Sequence, residues 1–372
     1  MKLLFVIDSL NRAGAEQSLV NLVPAIQARG HECHVAALRA PYALAPDLEA
    51  AGVTVHRLDL SHPWNLVEGR RKVAALSRTC DAVISHLFLG VVCAALSRTL
   101  APRPLQIAVL HNLDYQVIAH TSPVRRVRKA GHLALLRKQI DAYVAVSHAV
   151  AHHYHEHLGE KFPVAVIPNA FPVDHLTPAH TPRRSDSADF LCVVASRMVH
   201  QKGHRFLFEA LSILKKQDIR PRVLLLGQGV LREELETDVR ERGLENQVTF
   251  LGAVPHAEAM RLMQSADTVV LPSTHEGFGL AVAEAMLCER PVLATQIGGV
   301  EDVVENGVSG ILVPPADPPA LAQALTELMN DPDLRKKLGR AARARIIERF
   351  DAKVVARDWE NFLEELKAKS TP

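Results

Sequence analysis

At 372 residues, 48% hydrophobic and 23% charged, the chain has the composition of a soluble globular protein long enough for two domains, each with its own core. A formal net charge of +2 excludes a general nucleic-acid polycation. Cys33, Cys80, Cys93, Cys192 and Cys288 are scattered without close pairs, four of them in apolar segments. That spacing reads as buried thiols in a reducing cytoplasm, not as a disulfide framework or a zinc site.

The opening MKLLFVIDSL holds a short apolar run stopped by Asp8. It is too short for the apolar region of a signal peptide and reads as a first buried strand. Leu87 to Leu96 is the most apolar stretch, well short of the roughly 18 residues that a membrane span requires. Short apolar, β-branched runs then recur at Leu3–Ile7, His34–Leu38, Val53–Leu58, Ala82–Ser85, Gln106–Leu110, Tyr143–Val146 and Val164–Ile167. A helical pattern precedes each next run, which implies parallel strands joined by crossover helices. The series pauses at Thr177–Asp189, a polar, proline-containing stretch with the composition of a linker.

It resumes at Phe190–Ser196, Val223–Gly227, Val248–Leu251, Thr268–Leu271, Pro291–Thr295 and Gly310–Val313. The expected fold class is α/β, with two Rossmann-like domains facing across a cleft. The expected divisions are a first domain over 1–175, a linker over 176–189, a second domain over 190–350 and a helix over 351–372. That helix, carrying Trp359 and Phe362, can run back to brace the first domain.

The most informative segment is STHEGFGLAVAEAMLCERPVLAT, in which Glu276 and Glu284 are separated by seven residues. A polar turn with Gly277 and Gly279 runs into an apolar-periodic helix, whose free N–H groups suit a phosphate or a sugar hydroxyl. Glu276 is expected just before the helix and Glu284 about two turns inside it, so that both line one pocket. This spacing points to a nucleotide-sugar site.

Three other constellations belong with it. VVASRMVHQKGHRFLFEAL places Arg197 at a strand end and Lys202 five residues on. Cations there can neutralise a diphosphate leaving group, the competing reading being solvated surface charge. The loop DSLNRAGAEQSLVNL has Gly14 at its tip before a helix, where backbone can approach an anion; a plain tight turn has the same signature. His111 follows the strand QIAVL and is expected to face the cleft, although a lone histidine is more often structural.

Together these pieces resemble glycosyltransferase family 4, the retaining enzymes of the GT-B fold also grouped as glycosyl transferases group 1. HEGFGLAVAEAM and IGGVEDVVENGVSGILVPPAD are the most specific parts, supported by SRMVHQKG, the turn Ile167–Ala170 and the AGAE loop. The resemblance implies that Glu276 contacts the transferred sugar and that the amides of Phe278, Gly279 and Leu280, beside Gly277, hold sugar or diphosphate. It implies Glu284 on the ribose hydroxyls, Arg197 and Lys202 on the diphosphate, His111 on the sugar from across the cleft, and Gly14 near the phosphates. The family often has a glycine pair in that first loop; here Ala13 precedes Gly14. It further implies a nucleotide-sugar donor, most commonly UDP-linked, and chemistry on one face of the sugar with no metal.

Between Tyr115 and Ile140 there is no acidic residue, but Arg125, Arg126, Arg128, Lys129, Arg137 and Lys138 are interleaved with Val124, Val127, Leu133, Leu135 and Leu136. Such a helix can dock on an anionic leaflet, each charge contributing about 1 kcal/mol, or can simply be a solvated basic face. The resemblance adds a glycan or lipid-linked acceptor extended from the cytoplasmic side, with the protein peripheral on the membrane and acting in cell-surface polysaccharide synthesis.

Asp331–Pro332–Asp333 matches a short metal motif but sits where helix capping is expected. His148, His152, His153, His155 and His157 form a cluster in which His148, His152 and His155 share helical spacing; a polar helix is the better reading than a metal site. The enzyme alternative is a GT-B nucleotide-sugar epimerase, and the non-enzyme alternative a catalytically inactive nucleotide-sugar-binding protein. A dehydrogenase is disfavoured because neither domain has the full glycine fingerprint after its first strand.

Overall fold

The computed structural model describes all residues except 63–64, 114–122, 160, 174–189 and 371–372. The linker segment Thr177–Asp189 therefore lies outside the described residues. The chain divides into two compact units, residues 1–172 with 350–372, and residues 173–349.

The first unit holds β1 (Lys2–Ile7), β2 (Glu32–Ala37), β3 (Thr54–Arg57), β4 (Ala82–His86), β5 (Leu105–Leu110), β6 (Ala142–Ala145) and β7 (Val164–Val166). They form one parallel sheet in the order β3-β2-β1-β4-β5-β6-β7. The second unit holds β8 (Leu191–Ala195), β9 (Arg222–Leu226), β10 (Val248–Gly252), β11 (Thr268–Leu271), β12 (Val292–Thr295) and β13 (Ile311–Val313). Its parallel order is β10-β9-β8-β11-β12-β13. Every strand expected from the apolar runs is present, within one or two residues of its expected limits.

The sequence reason is burial on both faces. Crossover helices cover a parallel sheet on each side, so central strands are continuous apolar runs and not alternating ones. Ala82–His86 and Thr268–Leu271 are buried at every position. Leu4, Val6, Val83, Leu89 and Cys93 fill one core, and Val194, Leu207, Leu225, Val270 and Leu293 another. All five cysteines are buried and free, and burial pushes the thiols of Cys33, Cys93 and Cys288 up to about 12.

The helix Ala352–Ser370 belongs to the first unit and packs on the helix Gly14–Gln27. Val355, Trp359 and Leu363 recur every four residues and are buried, which gives this helix its apolar stripe. An isolated bridge between Phe171 and Asp351 clips the returning chain, with Phe171 N–H donating to Phe350 O (2.8 Å) and Ala352 N–H to Phe171 O (2.9 Å). Further along that helix, Glu360 forms an ion pair with Arg29, just past the helix Gly14–Gln27. Trp359→Ala should cost about 3–5 kcal/mol of first-unit stability through the cavity it leaves, measured by urea denaturation.

Candidate functional site

In the second unit, β8 lies between β9 and β11, so strand order reverses there. Loops leaving β8 and β11 lie side by side at that point, which is where open parallel sheets receive ligands. The loop after β8 carries Arg197 and a short 3₁₀ turn, His200–Lys202; the loop after β11 carries Ser273, Glu276 and Gly277.

These loops are fastened together. Thr274 N–H donates to Gln201 O (2.8 Å). The Lys202 ammonium donates to Glu276 Oε1 and forms an ion pair with it, and Ser273 Oγ donates to the same oxygen (2.8 Å). Both charged side chains are mostly buried, at 14% and 11% exposed, so the pair acts in a medium where charge is weakly screened. Gly203 ends the turn at φ 65°, and a Cβ there would lie 1.9 Å from Pro272 O. Only glycine lets the two loops approach this closely.

Beyond Glu276 the chain enters the helix Leu280–Leu287 through Gly279, at φ 89°, and no side chain caps the helix. Its first N–H groups are the kind that bind oxyanions. The helix is shorter at its start than expected: Glu284 is its fifth residue, about one turn inside and not two. Glu284 pairs with His256, whose Nε2 lies 3.0 Å from Glu284 Oε1. Gly299 packs on the same loop, where a Cβ would lie 2.4 Å from the Gly277 carbonyl carbon. Arg197 is exposed and, among the described residues, makes no side-chain hydrogen bond or ion pair. The structure thus joins Lys202 to Glu276 directly, whereas Glu284 and Arg197 stand apart from that pair.

In the first unit, β1 takes the place that β8 has in the second, with order reversing between β1 and β4. Asp8, at the end of β1, accepts from Gly90 N–H (2.7 Å), and burial raises its carboxyl above the usual range. Gly14 is the first residue of the helix Gly14–Gln27 and not the tip of a loop, and Ala13, the N-cap, supplies no side-chain bond. Glu16 lies in that first turn, buried, accepting from Ser9 Oγ (3.3 Å). His111 lines a cavity of about 250 Å³ with Asp8, Phe88, Asn112, His132 and Tyr154. Its Nε2 lies 3.0 Å from Nδ1 of His86, and burial pushes the His111 ring down to about 4.

The remaining sequence candidates fall as follows. Leu133 and Leu136, on the basic helix Pro123–Gln139, are buried, and the Arg137 guanidinium donates to His157 O (2.7 Å) and Leu158 O (3.2 Å). Leu133 and Leu136 thus pack inward, while Arg137, still exposed, is tied to the next helix's last carbonyls. Lys138 is exposed; the side chains of Arg125, Arg126, Arg128 and Lys129 lie outside the described residues. His148, His152 and His155 do not converge. His152 pairs with Glu156 (3.4 Å), and His155 Nε2 accepts from Val164 N–H (3.2 Å). Among the described residues, the metal-capable group is instead His153, Glu156 and His157, with ligand atoms within 4.8 Å of one another, beside the Arg137 cation. Asp331 Oδ1 accepts from Asp333 N–H (3.0 Å) and Leu334 N–H (2.8 Å), which is helix capping.

Sequence reasoning missed Ser273, His256, His204 and His86. Ser273 was available in principle, three residues before Glu276. His256 and His86 become partners only through the fold, 28 and 25 residues from Glu284 and His111.

Comparison with known proteins gives a consistent picture. Residues 12–175 match the family model described as Glycosyltransferase Family 4, and residues 179–345 the one described as Glycosyl transferases group 1. Alpha-D-kanosaminyltransferase of Streptomyces kanamyceticus is 32% identical over 152 residues, 41% of this chain and 39% of that protein. N-acetyl-alpha-D-glucosaminyl L-malate synthase of Bacillus anthracis is 23% identical over 346 residues, 89% and 88% of the two chains. HepE of Anabaena, solved with UDP and with UDP-glucose, superposes with a TM-score of 0.82 at 25% identity, covering 98% of this chain and 100% of its own. The match spans 39% to 43% of the length of the first curated relatives.

The turn beside Lys202 also sets a pH dependence. His204 is buried, its Nε2 3.0 Å from Ser196 Oγ, and burial together with the Lys202 charge lowers it from 6.5 to about 4. Between those values the unfolded chain takes up a proton that the folded unit excludes. Second-unit stability should therefore be full above pH 6.5 and fall as pH drops toward 4, by up to about 1.4 kcal/mol per pH unit. In urea titrations at pH 7.5 and 5, His204→Gln should flatten this decline.

Proposed function

Because the chain belongs to glycosyltransferase family 4, we propose that it transfers a sugar, with retention of configuration, from a nucleotide-sugar donor to a hydroxyl of a glycan or lipid-linked acceptor. The donor is UDP-linked, a reading supported by HepE, which was solved with UDP and with UDP-glucose. The acceptor role belongs to cell-surface polysaccharide synthesis on the cytoplasmic side of the membrane.

One observation carries this reading: Lys202 and Glu276 are held together at the point where strand order reverses, beside the N-terminus of the helix Leu280–Leu287. Departure of a nucleoside diphosphate leaves negative charge on the phosphate, and the reaction is fastest where fixed positive charge already waits. Lys202, Arg197 and the amides of Phe278, Gly279 and Leu280 supply it. Glu276 contacts the transferred sugar, and its carboxylate keeps Lys202 oriented toward the reacting bond. Glu284 accepts from the ribose hydroxyls, oriented by His256. His111 hydrogen-bonds a sugar hydroxyl, and Gly14 allows backbone near the phosphates. The leaving phosphate itself takes the acceptor's proton, so the residues supply charge and position without a metal.

UDP should raise the melting temperature more than ADP, GDP or dTDP do, since only ligands of the folded state stabilise it. In a donor-hydrolysis screen over the corresponding nucleotide sugars, Lys202→Ala and Glu276→Ala should each lower kcat on the order of a hundredfold. Glu284→Ala should mainly raise the donor KM, roughly tenfold. Wild-type rates in both of the first two variants would remove the assignment.

Peripheral docking is supported by the basic helix Pro123–Gln139. No helix among the described residues is long and apolar enough to cross a membrane. The protein should float with anionic vesicles at low salt and release as salt is raised. Failure to float at low salt would end the docking reading and leave the transfer reaction untouched.

A further inference from the structure

His86 is the last residue of β4, and it is 3% exposed. Leu87 follows at φ 61°, a left-handed conformation that a branched side chain rarely adopts, so the chain turns sharply into the helix Leu87–Ser97. The imidazole is thereby fixed between two rings, Phe5 at 6.3 Å and His111 at 5.2 Å between centroids. Its Nδ1 lies 3.0 Å from Nε2 of His111, and its own Nε2 is buried with no partner among the described residues.

That pattern is costly for a residue of purely structural purpose. A Phe or Leu would fill the volume without burying an unmet nitrogen. Among the described residues, the side-chain polarity of position 86 is used only toward His111.

We infer that His86 is a positioning residue that holds His111 in the tautomer with its proton on Nδ1, so that His111 meets a sugar oxygen as a hydrogen-bond donor. The assignment follows from the orphaned atom. A buried N–H without an acceptor is rarer than a buried acceptor without a donor, so Nε2 of His86 carries the lone pair. The proton of His86 then sits on Nδ1 and donates to Nε2 of His111. With Nε2 accepting, His111 keeps its single proton on Nδ1. Both rings are neutral at ordinary pH, because burial pushes His86 well below its usual value and His111 to about 4. Among the described residues, the other titratable groups lining the His111 cavity are Asp8, His132 and Tyr154.

The tautomer statement stands on the first unit alone; its consequence for turnover rests on the proposed contact between His111 and the sugar. The test separates them. The full chain, labelled with 15N-histidine, is compared with His86→Asn, His86→Phe and His111→Gln, the last assigning the His111 signals. Asparagine places an amide N–H near the Nδ1 position; phenylalanine fills the volume and donates nothing.

Long-range 15N–1H correlations should show His111 protonated at Nδ1 in the wild type and in His86→Asn. In His86→Phe the proton should move to Nε2, the form imidazole prefers in water. With UDP-sugar, kcat should fall roughly tenfold or more in His86→Phe, with donor KM nearly unchanged, and recover in His86→Asn. An Nε2–H signature in the wild type, or an unmoved proton in His86→Phe, overturns the inference. A shifted tautomer with unchanged kcat sustains the positioning and removes the sugar contact of His111. Thermal melts of all variants exclude a simple loss of fold.

Discussion

The reversal of strand order is the constraint on which the rest depends. In each sheet one strand has neighbours that continue the chain in opposite directions, β1 in the first and β8 in the second. Connecting helices must then cross on opposite faces, and the loops they spring from part at the carboxyl edge. A gap opens there. The chain fills each gap with polar groups, Asp8 reaching to Gly90 in one and Lys202 reaching to Glu276 in the other.

Such polar groups are affordable only because they are tied down. Lys202 and Glu276 answer each other, Ser273 holds the carboxylate, and Thr274 stitches the loops by backbone. Gly203 and Gly299 permit the approach by having no Cβ to collide with Pro272 and Gly277. The result is a fixed ion pair next to a helix N-terminus.

Much of this was legible in the residues. The strands were readable because burial on both faces leaves β-branched, apolar runs that no helix period explains, as in Thr268–Leu271. Glu276, Lys202 and Glu284 were readable as candidates from their places beside glycine turns and strand ends. Their partnerships were not. Nothing in local sequence joins Lys202 to a carboxylate 74 residues on, or His256 to Glu284, since strand order alone brings those loops together. The basic stretch was only partly legible for a related reason. Charge and apolarity along a helix do not say which residues face a neighbour, and Arg137 proved to serve the carbonyls of His157 and Leu158. His86 was hidden because a buried strand residue looks the same whether it packs or positions.

The helix Ala352–Ser370 has a consequence for how the protein is made. The first unit is written in two pieces, with the whole second unit between them, and Trp359 belongs to the later piece. During vectorial synthesis, residues 1–172 leave the ribosome without the helix that covers Gly14–Gln27. The second unit, encoded without interruption, can close first, although it is translated later. The first unit is thus finished only after the second has been made, and its exposed apolar surface must be tolerated until the later piece arrives.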